Sequence, residues 1–311
     1  MSLKDFPGIQ QQVPLKNHST FRVGGPADYF YPARDVESFL KILEEAKKEK
    51  IRVFILGGGS NVLFLDEGFR GLVVKMDMAN IEVKGDCLIA EAGATWLSLL
   101  KIAKKVGLSG LEEMNGLPGT LGGAVCGNAG CFGKDTSQLV ESGLLYDPSS
   151  GKTKEVDQNY FNFRYRWSRL KETHEIVLRA TLKLQKNERT EEKCGEKALR
   201  WEGIRGAHSA DASCVAPCLR AQKQPPGFSS GSFFKNPSPE KPAGLLIDQC
   251  GLKGFRIGGA QISPKHANFF INTGIATAQD LLSIRDQVKK MVFDRFQIKL
   301  EEEVIIVENI P

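Results

Sequence analysis

No stretch of about 18 consecutive apolar residues occurs in the 311-residue chain, which excludes a readable membrane-spanning helix. The segment from Met1 to Gln12 has neither the basic start nor the apolar stretch of a secretory signal, so a soluble, cytoplasmic protein with no membrane partner is expected. Charge of one sign is not concentrated. The 42 lysines and arginines against 37 aspartates and glutamates leave +5, spread without an arginine-rich block, and this argues against a nucleic-acid binder. Cysteine is scarce and odd in number (Cys87, Cys126, Cys131, Cys194, Cys214, Cys218 and Cys250), which excludes a disulfide scaffold and implies reduced thiols. There is no C-x-x-C pair, and the spacing of Cys194, His208, Cys214 and Cys218 matches no standard zinc site, so no metal is expected. Internal repeats are also absent.

At roughly 150 residues per domain the length suggests about two domains, and an apolar share of 41% can build a core in each. Asp35 suits the N-cap of an amphipathic helix bearing Val36, Phe39, Leu40, Leu43 and Ala46, with lysines on its other face up to Lys50. The apolar runs at 51–56 and 71–76 read as strands. Residues 81–93 read as a hairpin turning at Lys84-Gly85-Asp86 and leading into a helix capped by Thr95 and closed at Gly107. A second hairpin centres on 147–151, and Ile176, Leu178, Ala180, Leu182 and Leu184 form the clearest strand, at strict period two. From 187 to 224 a charged, helical start gives way to an aperiodic stretch, and 203–217 reads as a linker or domain boundary. A long helix starts at Thr277, with Asp280 completing a capping box and Leu281, Ile284, Val288, Met291, Val292 and Phe296 on one face. Alternating strands and helices favour an α/β or α+β fold.

Glycine is the outlier, with 32 residues, several of them clustered. Ile55-Leu-Gly-Gly-Gly-Ser-Asn-Val-Leu63 places Gly57, Gly58, Gly59, Ser60 and Asn61 directly after a strand, where successive backbone N–H groups can face an anion such as a pyrophosphate. The glycines alone fit a plain tight turn equally well. The segment is not the dinucleotide fingerprint, because Val62 stands where a third small residue is needed. Gly151-Lys152-Thr153 ends like a P-loop, but Tyr146 occupies the place of its first glycine. Residues 116–133 hold seven glycines in 18 positions with almost no bulk before Phe132, which suits backbone wrapped around a flat or phosphorylated ligand. Flexible linkers are seldom this apolar.

The two glycine segments, in this order, resemble the flavin-binding domain of the UDP-N-acetylenolpyruvoylglucosamine reductases. Asn17-His-Ser-Thr-Phe-Arg-Val-Gly-Gly25 resembles the N-terminal signature of that family, Tyr165-Arg166-x-Ser168 its central arginine motif, and Gly231-Ser-Phe-Phe-Lys-Asn-Pro237 its serine loop. Ala243-Gly-Leu-Leu-Ile-Asp-Gln-Cys-Gly-Leu-Lys-Gly254 and Leu300-Glu-Glu-Glu-Val304 complete a collinear series over nearly the whole chain. Taken singly, the arginine reads as a surface residue and the glutamates as a solvated strand edge. Their joint order with the glycine segments reverses that reading.

The resemblance implies an α+β fold, with a two-lobed FAD-binding domain of the p-cresol methylhydroxylase / vanillyl-alcohol oxidase type and a C-terminal α+β substrate-binding domain. The expected boundaries are 1–188 for the first, in lobes of roughly 1–78 and 79–188, and 189–311 for the second, with 203–217 as an inserted loop and the C-terminal strand returning to the active site. It further implies a monomeric, flavin-dependent oxidoreductase of peptidoglycan precursor synthesis. Such an enzyme reduces UDP-N-acetylglucosamine enolpyruvate, a small-molecule UDP-sugar, to UDP-N-acetylmuramate with bound FAD and NADPH as hydride donor. By position, the FAD-binding residues would be Gly57, Gly58, Gly59, Ser60, Asn61, Gly116, Pro118, Gly119, Thr120, Gly122, Gly123, Ala124, Asn128, Gly130 and Ile176.

Hydride delivery to the terminal carbon of an enol ether pushes charge toward the substrate carboxylate, so a cation and an acid are needed beside that group. Arg166 matches the family's cation, whose planar fork can hold a carboxylate at two points. Glu303 matches its second carboxylate-activating residue, which donates a hydrogen bond only if its pKa is elevated. Ser232 matches its general acid. Tyr165 and Asn236 would contact substrate, and Lys235 the diphosphate. Two departures stand out. Ile305 replaces an arginine common in the family, and only nine residues separate Arg166 from Ile176, which favours the short form without a lid insertion. The same scaffold also serves alcohol oxidases that pass electrons to oxygen, but those have no use for the serine loop beside a C-terminal glutamate. A non-catalytic nucleotide-sugar module would bind flavin without turnover.

Overall fold

Short β-branched and aromatic runs stopped by glycine, proline or aspartate give strands, and segments apolar at every third or fourth position give helices. The computed structural model describes residues 2–131, 133–186, 225 and 227–308. The chain opens with β1 (Gln10–Pro14), β2 (Pro26–Ala33), α1 (Val36–Lys48), β3 (Val53–Leu56), β4 (Val62–Phe64) and β5 (Phe69–Met76). Next come β6 (Ile81–Lys84), β7 (Cys87–Glu91), α2 (Trp96–Lys105), β8 (Leu108–Ser109), α3 (Leu121–Gly127), β9 (Gly130–Cys131) and β10 (Lys134–Asp135). They are followed by β11 (Val140–Asp147), β12 (Lys152–Asp157), the single turn α4 (Leu170–Thr173), β13 (Ile176–Lys183) and β14 (Gln185–Lys186). The C-terminal part holds α5 (Ala243–Gln249), β15 (Arg256–Ile257), β16 (Ala260–Ile262), β17 (Phe270–Asn272), α6 (Ala278–Phe296) and β18 (Ile305–Val307).

Two sheets build the N-terminal part. The first runs β1-β2-β5-β3, with β2, β5 and β3 parallel and α1 as the crossover between β2 and β3. The second runs β12-β11-β13-β7-β6 and is antiparallel throughout. Both share one core. Phe39, Ile42 and Ala46 of α1 are buried with Leu72 and Val74 of β5 and with Leu88, Leu145 and Leu178 of the second sheet. Phe39 meets Tyr146 edge-on at 5.9 Å. Three expected helix starts are present: Asp35 and Thr95 accept from the amides of Ser38 and Ser98, and Thr277 and Asp280 form the capping box of α6.

The C-terminal part packs Ala278, Leu281, Ile284, Val288 and Val292 of α6 against the β15-β16-β17 sheet and α5, while Met291 and Phe296 are only partly buried. Its core also takes Phe21, Val23 and Leu63 from the N-terminal part. Two further ties join the halves. The chain end returns as β18 to lie parallel to β4, and both carboxylate oxygens of Asp66 accept from the first amides of α6, Ala278 at 2.8 Å and Gln279 at 3.0 Å.

The structure adds elements that the sequence pattern did not announce: β1, β2, β4 and, within the glycine-rich stretch, α3. Prolines at both ends of the β1–β2 pair blur a strand signal, and three residues are too few for periodicity to register β4. The readings for 187–224, including 203–217, lie outside the described residues.

Candidate active site

The turn at 57–61 leaves β3 while the 116–123 segment runs into α3, and the two meet backbone against backbone. A Cβ on Gly58 would lie 2.5 Å from Gly119 Cα, one on Gly119 2.6 Å from Ser60 Oγ, and one on Gly59 1.9 Å from the His18 carbonyl oxygen. Gly59 and Gly119 also have φ of +68° and +110°, so both space and conformation demand glycine. Ser60 Oγ donates to the Pro118 carbonyl at 3.2 Å. Among the described residues no protein group accepts from the N–H of Gly58, Gly59 or Ser60. The buried Thr120 hydroxyl, 2.7 Å from where a Gly57 Cβ would stand, is likewise without a partner. Clustered donors without acceptors, on backbone stripped of side chains, form a nest for an oxyanion.

The remaining expected cofactor residues divide by what their groups already hold. Gly116 has φ +76° at the start of the segment. Gly122 packs on Ala92, whose carbonyl takes its N–H at 2.8 Å, and Gly123 and Ala124 follow in the first turn of α3. Asn128 is buried at the end of α3 with φ +43°, its side chain donating to the Arg164 carbonyl at 2.9 Å and accepting from the Ser137 amide at 3.0 Å. Both ends of that amide are thus committed to protein. Gly130 is equally enclosed, and Ile176 is half-buried at the start of β13.

Arg166 has φ +54°, which is costly for a residue with a side chain, and its neighbours hold it there. The fully buried Ser168 donates to the Cys126 carbonyl of α3 at 2.7 Å, and Lys171 Nζ to the Arg166 carbonyl at 2.8 Å. The guanidinium gives one hydrogen bond to the Gly130 carbonyl at 2.8 Å and sits 5.2 Å from the Tyr165 ring. Its Nε approaches Glu303 Oε1 at 2.7 Å, an ion pair in which the N–H is not aimed along the contact. One arginine thus touches both halves of the molecule.

Glu303 is placed with similar economy. Its N–H donates to the Phe233 carbonyl at 2.8 Å and its carbonyl accepts from Asn61 Nδ2 at 2.9 Å, while Asn61's own carbonyl takes the Ile305 N–H at 3.0 Å. The serine loop is zipped to the same segment, which leads into β18: Lys235 N–H donates to the Glu301 carbonyl, and Phe234 bridges Glu302. Ser232 precedes Phe233 directly and pairs with Phe269 on its other side. Burial pushes the Glu303 carboxyl above its ordinary value, with Arg166, Lys171 and Lys235 pulling it back. Burial also lowers the Lys171 ammonium.

The structure brings Arg166, Glu303, Tyr165, Lys235 and Asn236 into one cluster, with Ser232 in the adjoining loop. Tyr165 Oη accepts from the Asn236 amide at 3.4 Å, and Lys235 Nζ lies 3.2 Å from Glu301. Asn236 Oδ1 is taken by the Ala243 amide at the start of α5, which leaves its NH2 end for a ligand. Ile305 is 45% exposed and contributes only its backbone. Between Arg166 and Ile176 there is only α4. Lys171 escaped sequence reasoning because a lysine in a one-turn helix looks like any surface lysine. The Thr20–Ser230 hydroxyl contact (2.9 Å) that joins the N-terminal signature to the serine loop carries no sequence signal either. Among the described residues no group of three or more His, Cys, Asp and Glu side chains is placed to hold a metal, and no helix is long and apolar enough to cross a membrane. Cys194, His208, Cys214 and Cys218 lie outside the described residues.

Comparison with known proteins gives the same picture. Residues 27–157 match the model of an FAD binding domain, and residues 222–307 that of the UDP-N-acetylenolpyruvoylglucosamine reductase C-terminal domain. The UDP-N-acetylenolpyruvoylglucosamine reductase of Caldanaerobacter subterraneus subsp. tengcongensis is 38% identical over 296 residues, covering 94% of this chain and 92% of the relative. That of Clostridium novyi is 36% identical over 310 residues, covering 98% and 94%. The crystal structure of the UDP-N-acetylenolpyruvylglucosamine reductase from Thermus caldophilus superposes with a TM-score of 0.76 at 30% identity, over 96% of this chain and 100% of that one.

Proposed function

Since the chain belongs to the UDP-N-acetylenolpyruvoylglucosamine reductase family, we infer that it is an FAD-dependent oxidoreductase of peptidoglycan precursor synthesis. It reduces UDP-N-acetylglucosamine enolpyruvate to UDP-N-acetylmuramate at the expense of NADPH. The observation that carries the reading is the convergence of Arg166, Glu303 and the serine loop on the segment before β18, which Asn61 ties to the glycine turn. The cluster in turn supports reading residues 1–188 as the FAD-binding domain and 189–311 as the substrate domain. We further read the protein as cytoplasmic and monomeric, with the UDP-sugar rather than nucleic acid or membrane as its partner.

The cofactor fits the residues present. The unaccepted amides at 58–60, the Thr120 hydroxyl and the closely packed glycines suit a diphosphate, and 116–124 offers backbone without bulk beside it. The chemistry that bound FAD supplies is hydride transfer, from NADPH to the enolpyruvyl carbon. Arg166 holds the substrate carboxylate and stabilises the charge that develops on it. A substrate carboxylate arriving at that guanidinium displaces the Glu303 carboxylate from its ion pair. That loss, added to burial, favours the protonated acid, which then donates to the same substrate group. Ser232 delivers the proton to the neighbouring carbon, while Tyr165, Lys235 and the NH2 end of Asn236 hold the rest of the substrate. Asn128 orients the arginine turn.

The direct test is an anaerobic absorption spectrum. A flavin spectrum should bleach on adding NADPH and return only on adding the UDP-enolpyruvyl sugar. No flavin uptake, or bleaching without return, contradicts the assignment.

Glu303 makes that second step pH-dependent. Its pKa is raised, so the proton it needs is present below that value and is lost as pH rises through it. Flavin reoxidation by substrate should therefore fall on the alkaline side, and Glu303→Gln, with a neutral donor at every pH, should flatten this limb. A limb that persists unchanged in the variant assigns it to another group. The same shift makes a contribution to fold stability that is full below the unfolded carboxyl pKa and disappears as pH rises through the folded one.

A further inference from the structure

Beneath the 57–60 turn lies a cation that the mechanism above does not use. Lys75 sits on β5, where the strand register places it beside Leu56, the last residue of β3, and its Nζ donates to the Gly57 carbonyl oxygen. It forms no ion pair among the described residues. Burial pushes its ammonium below the ordinary value, with Asp77, exposed nearby, opposing. His18, whose ring lies tilted against Phe30 at 4.4 Å, is held low by burial and then by Lys75 itself. A half-buried ammonium without a counter-ion is costly, so its retention calls for a compensating anion.

The geometry of one peptide shows where that anion belongs. In a trans peptide the C=O and the N–H point in opposite directions, and no cis bond occurs among the described residues. Turning the Gly57 carbonyl inward to Lys75 therefore turns the Gly58 N–H outward. Among the described residues that N–H, like those of Gly59 and Ser60, has no protein acceptor, and the orphaned Thr120 hydroxyl lies against Gly57 itself. We propose that Lys75 is the fixed counter-charge of the FAD diphosphate, holding the Gly57–Gly58 peptide with its N–H outward and setting one positive charge behind the amide nest. This inference rests on the flavin reading above. It makes Lys75 a positioning residue of the cofactor site.

The test uses the full-length protein stripped of flavin and titrated with FAD, followed by flavin fluorescence, for Lys75→Met and Lys75→Gln. Met removes both charge and donor, whereas Gln keeps a donor for the Gly57 carbonyl but no charge. Both variants should bind FAD about 10- to 100-fold more weakly, the range for losing a charge-assisted contact. The Tm of the stripped protein should stay at or above wild type, because the cation removed has no counter-ion among the described residues and relief of its burial offsets the one hydrogen bond lost, to the Gly57 carbonyl. A merely structural lysine would instead lower that Tm. FAD affinity within twofold of wild type in the Met variant, wild-type affinity in the Gln variant, or a stripped protein melting well below wild type would each overturn the proposal. Failure of the flavin reading itself would appear in the wild-type protein as absence of FAD uptake, and would overturn this inference with it.

Discussion

Ser232→Ala should leave reduction of the bound flavin by NADPH within about twofold of wild type and slow its reoxidation by the UDP-enolpyruvyl sugar by about 10²- to 10⁴-fold, the usual contribution of general acid catalysis. The asymmetry follows from where the hydroxyl sits. In the proposed mechanism, reduction by NADPH would call for no proton from the serine loop, whereas reoxidation would require one on the substrate carbon that Ser232 serves. The loop is rigid enough for the substitution to be clean. Phe233 and Phe234 are buried behind Ser232, with Phe233 stacked on Phe270 at 4.3 Å, and the backbone is pinned to Phe269 on one side and to Glu303 on the other. Ser232 is itself half-exposed, so replacing Oγ by hydrogen leaves no cavity in the core. A free serine is a weak acid, and the proposed role asks it only to protonate a strongly basic charge on the substrate. Stopped-flow traces of the two half-reactions separate the cases. Equal slowing of both would remove the proton-donor role.

Elements with local signatures were legible in the sequence, and contacts made by folding were not. The starts of α1, α2 and α6 were readable because a capping residue and a 3.6-residue period occur together in one short window. The hairpins at 81–91 and 140–157 were readable from their turn residues. By contrast α3, made of Leu, Gly, Ala, Val and Cys, has no polar face from which a period could be recognised, and its glycines argue against helix. It forms where its first amides find acceptors, Leu121 and Gly122 donating to the carbonyls of Ala94 and Ala92 and Ala124 to that of Thr120. In the site, the motif positions Arg166, Ser232 and Glu303 were visible as a series. Their convergence depends on β18 returning to β4, a pairing of residues more than 240 positions apart that no local pattern encodes. Asp66, Lys75 and Lys171 were silent for the same reason. Each is an ordinary charged residue until the fold gives it a partner.

Arg166→Lys should cut flavin reoxidation by substrate about 10²- to 10³-fold, comparable to losing one well-placed electrostatic donor, with flavin content unchanged. Charge alone does not meet the geometric demand. The guanidinium uses one nitrogen on the Gly130 carbonyl and turns another toward Glu303, so it spans the glycine-rich segment and the approach to β18 at once. A single ammonium can satisfy one of these or a substrate carboxylate, and it cannot offer two parallel donors. The left-handed backbone at 166 is equally unfavourable for lysine and arginine, so strain does not distinguish the variants. The anchors from Ser168 and Lys171 act on the backbone and survive the change. What is lost is the planar fork. If Glu303 depends on that fork for its partner before substrate arrives, the lysine variant should also shift the alkaline limb of the reoxidation rate upward. The weaker pull on the carboxylate lets burial dominate its pKa. A lysine variant with wild-type reoxidation and an unmoved limb would take Arg166 out of the site and leave the Glu303 carboxylate without the cation that the mechanism requires.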